Sequence, residues 1–337
     1  LPMGLFGQTL SRRSVLPMPP LALLTLAACS SGSSGGGSGL VSSGASSVSG
    51  SVIKGPLSNA LVFLDLDKDG VQDDGETSVR TGSDGSFTLS ASNSSYTIVA
   101  VADGSTVDTS SGTVISGVML KAPSGATVVT PTTTLMSEGN MTAAKVAAVL
   151  NLPAGVDPLT FNPYASGVDA ADALAVEIIS QQIMSTIRAF AAAVEGAGAN
   201  EADAYSYSLK SMASVIAARA GENTTLDFTS SDDIALIQNK VMAEMGNDPN
   251  LSSVNTTVLK ALIDDTSSAV KNVNDMIATV TDLASDTTKN AFSTVQVLSD
   301  QVKAAAVAEA ATAGSGTIDF KNASMVDTAA SNYAPTA

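Results

Sequence analysis

The twelve residues DLDKDGVQDDGE, from Asp65 to Glu76, carry the side chains whose types and spacing best suit chemistry. Counted from Asp65, carboxylates fall at positions 1, 3, 5, 9 and 12 and a glycine at position 6, which is the ligand spacing of an EF-hand calcium loop. So many like charges repel one another unless a cation lies between them. The spacing therefore predicts a Ca²⁺ site with these ligands: Asp65, Asp67, Asp69, Val71 through its main-chain carbonyl, Asp73 and Glu76.

The identity of the cation follows from the number of oxygens that the loop offers. Calcium takes six to eight oxygen ligands at about 2.3–2.6 Å, whereas Mg²⁺ prefers few carboxylates and several waters. Gly70 permits the sharp turn, and Glu76 can close the coordination shell with both of its oxygens. The alternative interpretation is an acidic hairpin tip that is held by Asx turns and binds no metal.

The segments on either side of this loop are strand-like, so the loop belongs to a β-domain and not to a helix pair. NALVFL precedes it and TSVRTG follows it. From Val48 to about Thr130, short runs of Val, Ile, Thr and Phe alternate with Gly, Asn, Asp and Ser at intervals of about ten residues. This pattern predicts a β-sandwich module of about seven strands over residues 48–130. GSDGSF, with Asp84-Gly85 at its tip, predicts a hairpin turn.

The stretch GSVIKGPLSNALVFLDLDKDGVQDDGETSVRTGSDGSFTL, which begins at Gly50, resembles the prealbumin-like β-modules of bacterial surface proteins. The B-type repeats of serine-aspartate adhesins and the carboxypeptidase regulatory-like domains share its Gly-Pro turn, its Asp-x-Asp-x-Asp-Gly loop and its Asp-Gly-x-Phe motif. The resemblance extends to about Ala102 and implies that the loop carboxylates are calcium ligands. VVTPTTTLM, at 128–136, resembles a segment that follows such modules in large secreted proteins of Gram-negative bacteria.

Beyond about Pro131 the sequence becomes Ala-rich with helical spacing, which predicts an α-helical domain over residues 131–313. The fold class is therefore α+β: an N-terminal β-sandwich module followed by a helical bundle with a long C-terminal helical tract. Apolar residues recur every seven positions in this tract, which predicts one long helix in an antiparallel bundle or, alternatively, an oligomeric coiled coil. Residues 314–337 are predicted to be a flexible tail. The predicted helices span 143–150, 169–194, 201–219, 231–245 and 252–311, with a break near Thr287-Thr288.

The first 28 residues have the organisation of a secretory signal peptide. Arg12 and Arg13 precede a short apolar run, and Leu26-Ala27-Ala28-Cys29 resembles the lipobox of bacterial lipoproteins. That resemblance implies cleavage before Cys29, attachment of lipid to its thiol and, with Ser30 next in the chain, residence in the outer membrane. The alternative is an ordinary signal peptide with an unrelated cysteine. Residues 29–47 are rich in Gly and Ser and predict a flexible tether.

Composition excludes several classes of function. The chain has 32 acidic and 16 basic residues and a net charge of −16, which disfavours binding to nucleic acid. It has no histidine, so the commonest general base and the usual zinc ligand are missing from its sequence. It has neither a Gly-rich phosphate loop nor a Gly-x-Ser-x-Gly nucleophile motif.

The sequence as a whole predicts a non-enzymatic, lipid-anchored, calcium-stabilised protein of the bacterial cell surface, of adhesin or matrix type. Its partners would be the membrane, through the lipid anchor, and other surface proteins or polysaccharide. Two alternatives are a lipoprotein that acts as a scaffold or assembly factor at the periplasmic face of the outer membrane, and a fragment of a larger secreted enzyme whose catalytic part is absent.

Overall fold

A computed structural model of the protein describes residues 46–245, 248–318 and 320. In this part of the chain ten β-strands come first and seven α-helices follow, which is the order that the sequence predicts. The signal peptide 1–28, Cys29 and nearly all of the tether 29–47 lie outside the described residues, so the interpretation of those segments stays a prediction.

The strands form three small sheets. One has the order β10-β1-β5, the second β2-β7-β8 and the third β4-β3-β6-β9. β1 is antiparallel to β5 and parallel to β10, and all other pairs are antiparallel. The strands are β1 (Ser46–Val52), β2 (Leu57–Ser58), β3 (Leu61–Asp65), β4 (Ser78–Arg80), β5 (Ser86–Ala91), β6 (Thr97–Ala102), β7 (Thr106–Asp108), β8 (Thr113–Ile115), β9 (Val118–Pro123) and β10 (Val128–Val129).

The count of ten strands differs from the seven predicted, for local reasons. The short strands β2 and β7 are too brief to give an alternating pattern. GTVISGVML forms two strands instead of one, because Gly117 adopts a positive φ of 66° between β8 and β9. Asp84-Gly85 does form a turn, and Gly85 donates its N–H to the carbonyl of Gly82. The predicted hairpin is nevertheless wrong, because β4 pairs with β3 while β5 pairs with β1.

Alternating burial explains why the strands hold together. In β5 the side chains of Phe87, Leu89 and Ala91 are buried while their neighbours are exposed, so one face of the strand points into the core. In β6 both faces are largely covered, and Ile98 and Val99 have no exposed surface. The side chains of Phe87, Leu89, Ala91 and Ile98 belong to a hydrophobic core that continues without interruption into the helices.

The helices begin where the sequence supplies capping side chains. Asp169, Asn200, Ser230, Asn255 and Ser285 each accept a hydrogen bond from a main-chain N–H in the first turn that follows them. The helices are α1 (Pro131–Glu138), α2 (Ala143–Val149), α3 (Ala170–Gly196), α4 (Glu201–Glu222), α5 (Ser231–Glu244), α6 (Thr256–Ala278) and α7 (Asp286–Ala311).

Helix α3 is the centre of the helical part. It packs against α4, α6 and α7, and it is buried on nearly all sides from Ser180 to Val194. Ile183, Ile187 and Phe190, which the sequence places on its apolar face, are almost completely buried. A helix that is covered on all sides needs no polar face, which explains its high content of alanine and isoleucine.

The long C-terminal tract is two helices, not one. The chain leaves helical conformation after Ala278 and begins α7 at Asp286, so the break precedes the predicted position near Thr287-Thr288. Asp282 stabilises the turn, because its main-chain carbonyl accepts a hydrogen bond of 2.6 Å from the hydroxyl of Thr288. Ala284, which belongs to the predicted seven-residue repeat, lies exposed in this turn. The two helices pack against each other and against α3.

The first residues of the predicted tail are packed against the helices. Ile318 and Phe320 are fully buried, and Asn272 of α6 donates a side-chain hydrogen bond of 2.7 Å to the carbonyl of Phe320. The remaining residues of the predicted tail, 321–337, lie outside the described residues.

Candidate metal centre

Two paired strands position the acidic loop. β3 ends at Asp65 and β4 begins at Ser78, and the antiparallel pairing of Phe63 with Ser78 brings the two ends of the loop together. β3 is also paired with β6 on its other side, where Asp65 faces Thr97. The first predicted ligand is therefore attached to an interior strand of a four-stranded sheet, and only 1% of its surface is exposed.

The chain curls around the carboxylate of Asp65. Oδ1 accepts a hydrogen bond of 2.6 Å from the N–H of Lys68, and Oδ2 accepts one of 3.0 Å from the N–H of Gly70. Both donors have positive φ, 70° for Lys68 and 83° for Gly70. A glycine reaches this conformation without strain, so the residue type at position 6 has a direct structural reason.

Glu76 closes the loop from its other end. Its Oε1 accepts a hydrogen bond of 2.6 Å from the N–H of Leu66, and its Oε2 accepts one of 3.1 Å from the N–H of Asp73. Asp67 and Asp69 each accept an N–H from two residues further along the chain. The turns that hold these carboxylates in place are therefore internal to the loop.

The loop brings the predicted side-chain ligands together in two overlapping groups. Carboxylate oxygens of Asp65, Asp67 and Glu76 lie within 4.8 Å of one another, and so do those of Asp67, Asp69 and Asp73. Asp67 belongs to both groups and links them.

Val71, the sixth predicted ligand, lies between the two halves of the loop with an exposed side chain, and its N–H donates to Asp69. A residue that coordinates through its main-chain carbonyl needs no buried side chain, so this exposure is compatible with the predicted role.

The electrostatics of the loop favour a bound cation. Burial is the main cause that raises the pKa of Asp65, with a further contribution from the charges of Glu76 and Asp67. Repulsion by Asp69 is the main cause that raises the pKa of Asp73. Since ionisation of both groups is unfavourable in the folded loop, the cation-free loop loses stability as pH rises through their raised pKa values. A divalent cation removes this cost by neutralising the carboxylates.

Comparisons with known protein families, with curated proteins and with solved structures find no match for this chain.

None of the helices formed by the described residues combines the length and the apolar character needed to cross a bilayer.

One set of buried charged residues was missed by the sequence analysis. Lys54, Asp108 and Glu177 come together between the β-module and α3, and none is more than 1% exposed. The sequence does contain a sign of this arrangement, since a glutamate between Val176 and Ile178 interrupts the apolar side of a helix.

Proposed function

We propose that this chain is a non-enzymatic, calcium-stabilised, lipid-anchored protein of the bacterial cell surface, of adhesin or matrix type. The observation that carries the proposal is the convergence of Asp65, Asp67 and Glu76 within 4.8 Å, at the junction of two paired strands. A cation at this point links the end of β3 to the start of β4. Its role is then structural, because it ties down a twelve-residue segment in which every second residue, on average, is acidic and repels the others.

Calcium is the cation that fits this loop best. The five carboxylates and one main-chain carbonyl supply at least six oxygens, which is within the coordination range of Ca²⁺. Extracellular calcium modules bind with dissociation constants of about 10⁻⁴–10⁻³ M. Such a site fills outside the cell, where calcium is abundant, and empties readily in the presence of a chelator.

The β-module is proposed to be a sandwich of the two larger sheets. The support for this proposal is a core that the two sheets share. A single buried cluster contains Phe87 and Leu89 from β5 of one sheet and Ile98 and Ala100 from β6 of the other. The link across Asp84-Gly85 joins β4 of one sheet to β5 of the other, as a sandwich connection does.

The lipid anchor rests on the sequence. Cys29 follows an apolar run and precedes a Gly/Ser tether, and several acyl chains together attach a protein firmly to a bilayer. A flexible tether of this length has an average reach of about 20–25 Å. The folded part would therefore stand clear of the lipid head groups and face partners such as other surface proteins or polysaccharide.

Thermal unfolding with calcium and with chelator tests the metal site. At a calcium concentration of about ten times the dissociation constant, binding adds about 1.4 kcal/mol to the free energy of unfolding. We expect a higher melting temperature in calcium and a measurable heat of binding by calorimetry. Identical melts in the two conditions, together with no heat of binding, would leave the loop as an acidic turn without a metal.

A matched pair of variants separates coordination from net charge. Asp69→Ala removes a predicted ligand, whereas Asp74→Ala removes the same charge from a neighbouring position that the ligand spacing does not use. We expect the calcium-induced shift to be lost in the first variant and kept in the second. Loss of the shift in both variants would mean that calcium acts through overall charge and not through a defined site.

The anchor is tested separately. Cys29→Ala should leave the precursor unprocessed or release the protein from membranes, as measured by mass and by partitioning into detergent. An unchanged mass and unchanged partitioning of this variant would refute lipid attachment and leave the calcium site unaffected.

A further inference from the structure

The buried ionic cluster, formed by Lys54, Asp108 and Glu177, joins the β-module to the central helix. Nζ of Lys54 lies 2.6 Å from Oδ2 of Asp108, and the two side chains are 1% and 0% exposed. Oε1 of Glu177, on α3, accepts a hydrogen bond of 2.8 Å from the main-chain N–H of Gly55. Three segments that are distant in sequence therefore meet through polar groups in a region without solvent.

The charges of this cluster do not balance. Two carboxylates face one ammonium group. Within the described part of the chain, the other titratable group against Glu177 is the phenol of Tyr164, whose pKa is raised mainly by burial and also by the charge of Glu177. With Glu177 ionised, the cluster would carry one uncompensated negative charge. An unpaired charge in a buried site costs several kcal/mol, so buried groups usually become neutral instead.

The cluster also has fewer hydrogen-bond donors than acceptors. The side-chain amide of Gln181 donates to Oε1 of Glu177 over 2.7 Å. Two further buried atoms, Oε2 of Glu177 and Oε1 of Gln181, have no hydrogen-bond partner among the described residues. Both atoms can only accept a hydrogen bond. A hydrogen on Oε2 of Glu177 would turn one of these acceptors into a donor and would remove the unpaired charge in the same step.

We propose that Glu177 is a proton-binding site that is occupied in the folded protein, and that loss of this proton weakens the attachment of the β-module to α3. The cluster then makes the joint between the two parts sensitive to the acidity of the surroundings. This role is independent of the acidic loop, because the described residues that hydrogen-bond to Glu177, or whose charges act on it, all lie outside the loop.

The direction of the effect follows from linkage. Burial is the main cause that raises the pKa of Glu177 to about 7, from an ordinary value of 4.5. Between these two values the folded protein binds one more proton than the unfolded chain, so stability falls as pH rises. The contribution is fully present below the ordinary value and is lost as pH rises through about 7. Across this window the unfolding equilibrium constant should increase roughly a hundredfold.

Glu177→Gln is the decisive variant, because an amide has the shape of the protonated acid and cannot ionise. Denaturant unfolding of the full chain from about pH 5 to about pH 8 should show the hundredfold change in the wild type and lack it in the variant. All melts should be made in excess calcium, so that the pH response of the acidic loop is suppressed. If the pH profiles of variant and wild type run parallel, the proposal is wrong.

Glu222→Gln is the matched control, since Glu222 is an exposed glutamate at the end of α4. It should follow the wild-type profile throughout. A control that also loses the pH response would show that the response belongs to total charge and would refute the assignment to Glu177.

Infrared spectroscopy provides a readout that does not depend on stability. A protonated buried carboxyl has its own C=O stretching band in D₂O. We expect this band in the folded wild-type protein at about pH 6, its loss well above pH 7, and its absence from Glu177→Gln. If no such band distinguishes the wild type from the variant at about pH 6, Glu177 is ionised in the fold and the proposal fails.

Discussion

The acidic loop and the buried ionic cluster deal with negative charge in opposite ways. In the loop, five of the six carboxylate residues keep contact with solvent, so the charge repulsion is screened by water and its relief by a cation is optional. In the cluster, Asp108 and Glu177 have no exposed surface, so the charge of Asp108 is balanced by Lys54 and that of Glu177 is removed by the proposed proton. The loop can therefore exchange its counterion with the medium, whereas the cluster has Lys54 as a permanent part of the fold.

The acidic loop is suited to binding a ligand, whereas the buried ionic cluster depends on the folding of the β-module against α3. The loop has an exposed approach and few constraints other than its own turns. The cluster spans segments that are 54 and 122 residues apart, so its contacts exist only when both parts of the chain have folded together.

The largest loss of stability is expected when the buried ammonium group of Lys54 is removed. Lys54→Met leaves the buried carboxylate of Asp108 without its countercharge, and breaking a buried ion pair in this way costs about 3–5 kcal/mol of unfolding free energy. Urea denaturation at neutral pH measures this loss. Arg80→Met is the control, because its ion pair with Asp103 has the same length of 2.6 Å but is about 40% exposed. That variant should lose only about 0–1 kcal/mol. Equal losses of unfolding free energy in the two variants would contradict the expected difference between a buried and an exposed ion pair.

A smaller effect is expected from adding a methyl group to one glycine in each region. Gly55 and Gly75 both have positive φ, of 63° and 98°, so alanine costs about 1–2 kcal/mol at either position. At Gly55 the new Cβ would also lie 2.0 Å from Oγ of Ser110 and 2.3 Å from Oδ1 of Asp108, whereas at Gly75 it meets open space. Gly55→Ala should therefore be less stable than Gly75→Ala by about 1–3 kcal/mol in chemical denaturation. The reverse order would contradict the packing around the cluster.

The smallest effect concerns salt. Raising NaCl from about 0.01 M to about 1 M shortens the screening length from about 30 Å to about 3 Å. Without calcium, this should stabilise the protein by less than about 1 kcal/mol, because the exposed carboxylates of the loop repel less. The double variant Asp67→Ala, Asp69→Ala should show a smaller response in the same thermal melts. The difference in the free energy of unfolding between Lys54→Met and the wild type should not change with salt. A strong salt dependence of that difference would mean that water reaches the cluster.

The acidic loop was predictable because its pattern is local. Its ligands fall within twelve consecutive residues, and Gly70 occupies the position where the chain must turn sharply. Helix starts were predictable for a similar reason, since Asp169 and Ser230 are short polar residues directly before periodic apolar segments.

The features that were missed depend on contacts that are distant in sequence or on context that overrides propensity. Helix α1 contains three consecutive threonines, which are poor helix formers, and it relies on the capping box of Thr130 with Thr133 and on burial against β9. The pairing of Lys54 with Asp108 joins a turn to the end of β7, and the two segments carry no shared motif. The break in the long C-terminal tract was predicted too late, near Thr287-Thr288, because the apolar repeat continues through the turn at Ala284.

The threonines of α1 have a consequence for the behaviour of this protein at high concentration. β9 is an outer strand of its sheet, and such strands can pair with strands of other molecules and start aggregation. Here the hydroxyl of Thr134 accepts the N–H of Lys121 over 2.9 Å, the hydroxyl of Thr133 donates to the carbonyl of Lys121 over 2.8 Å, and Tyr205 donates to the carbonyl of Met119. Side chains from α1 and α4 thus occupy hydrogen-bonding groups that a neighbouring molecule would otherwise use, which keeps crowded copies of the chain apart.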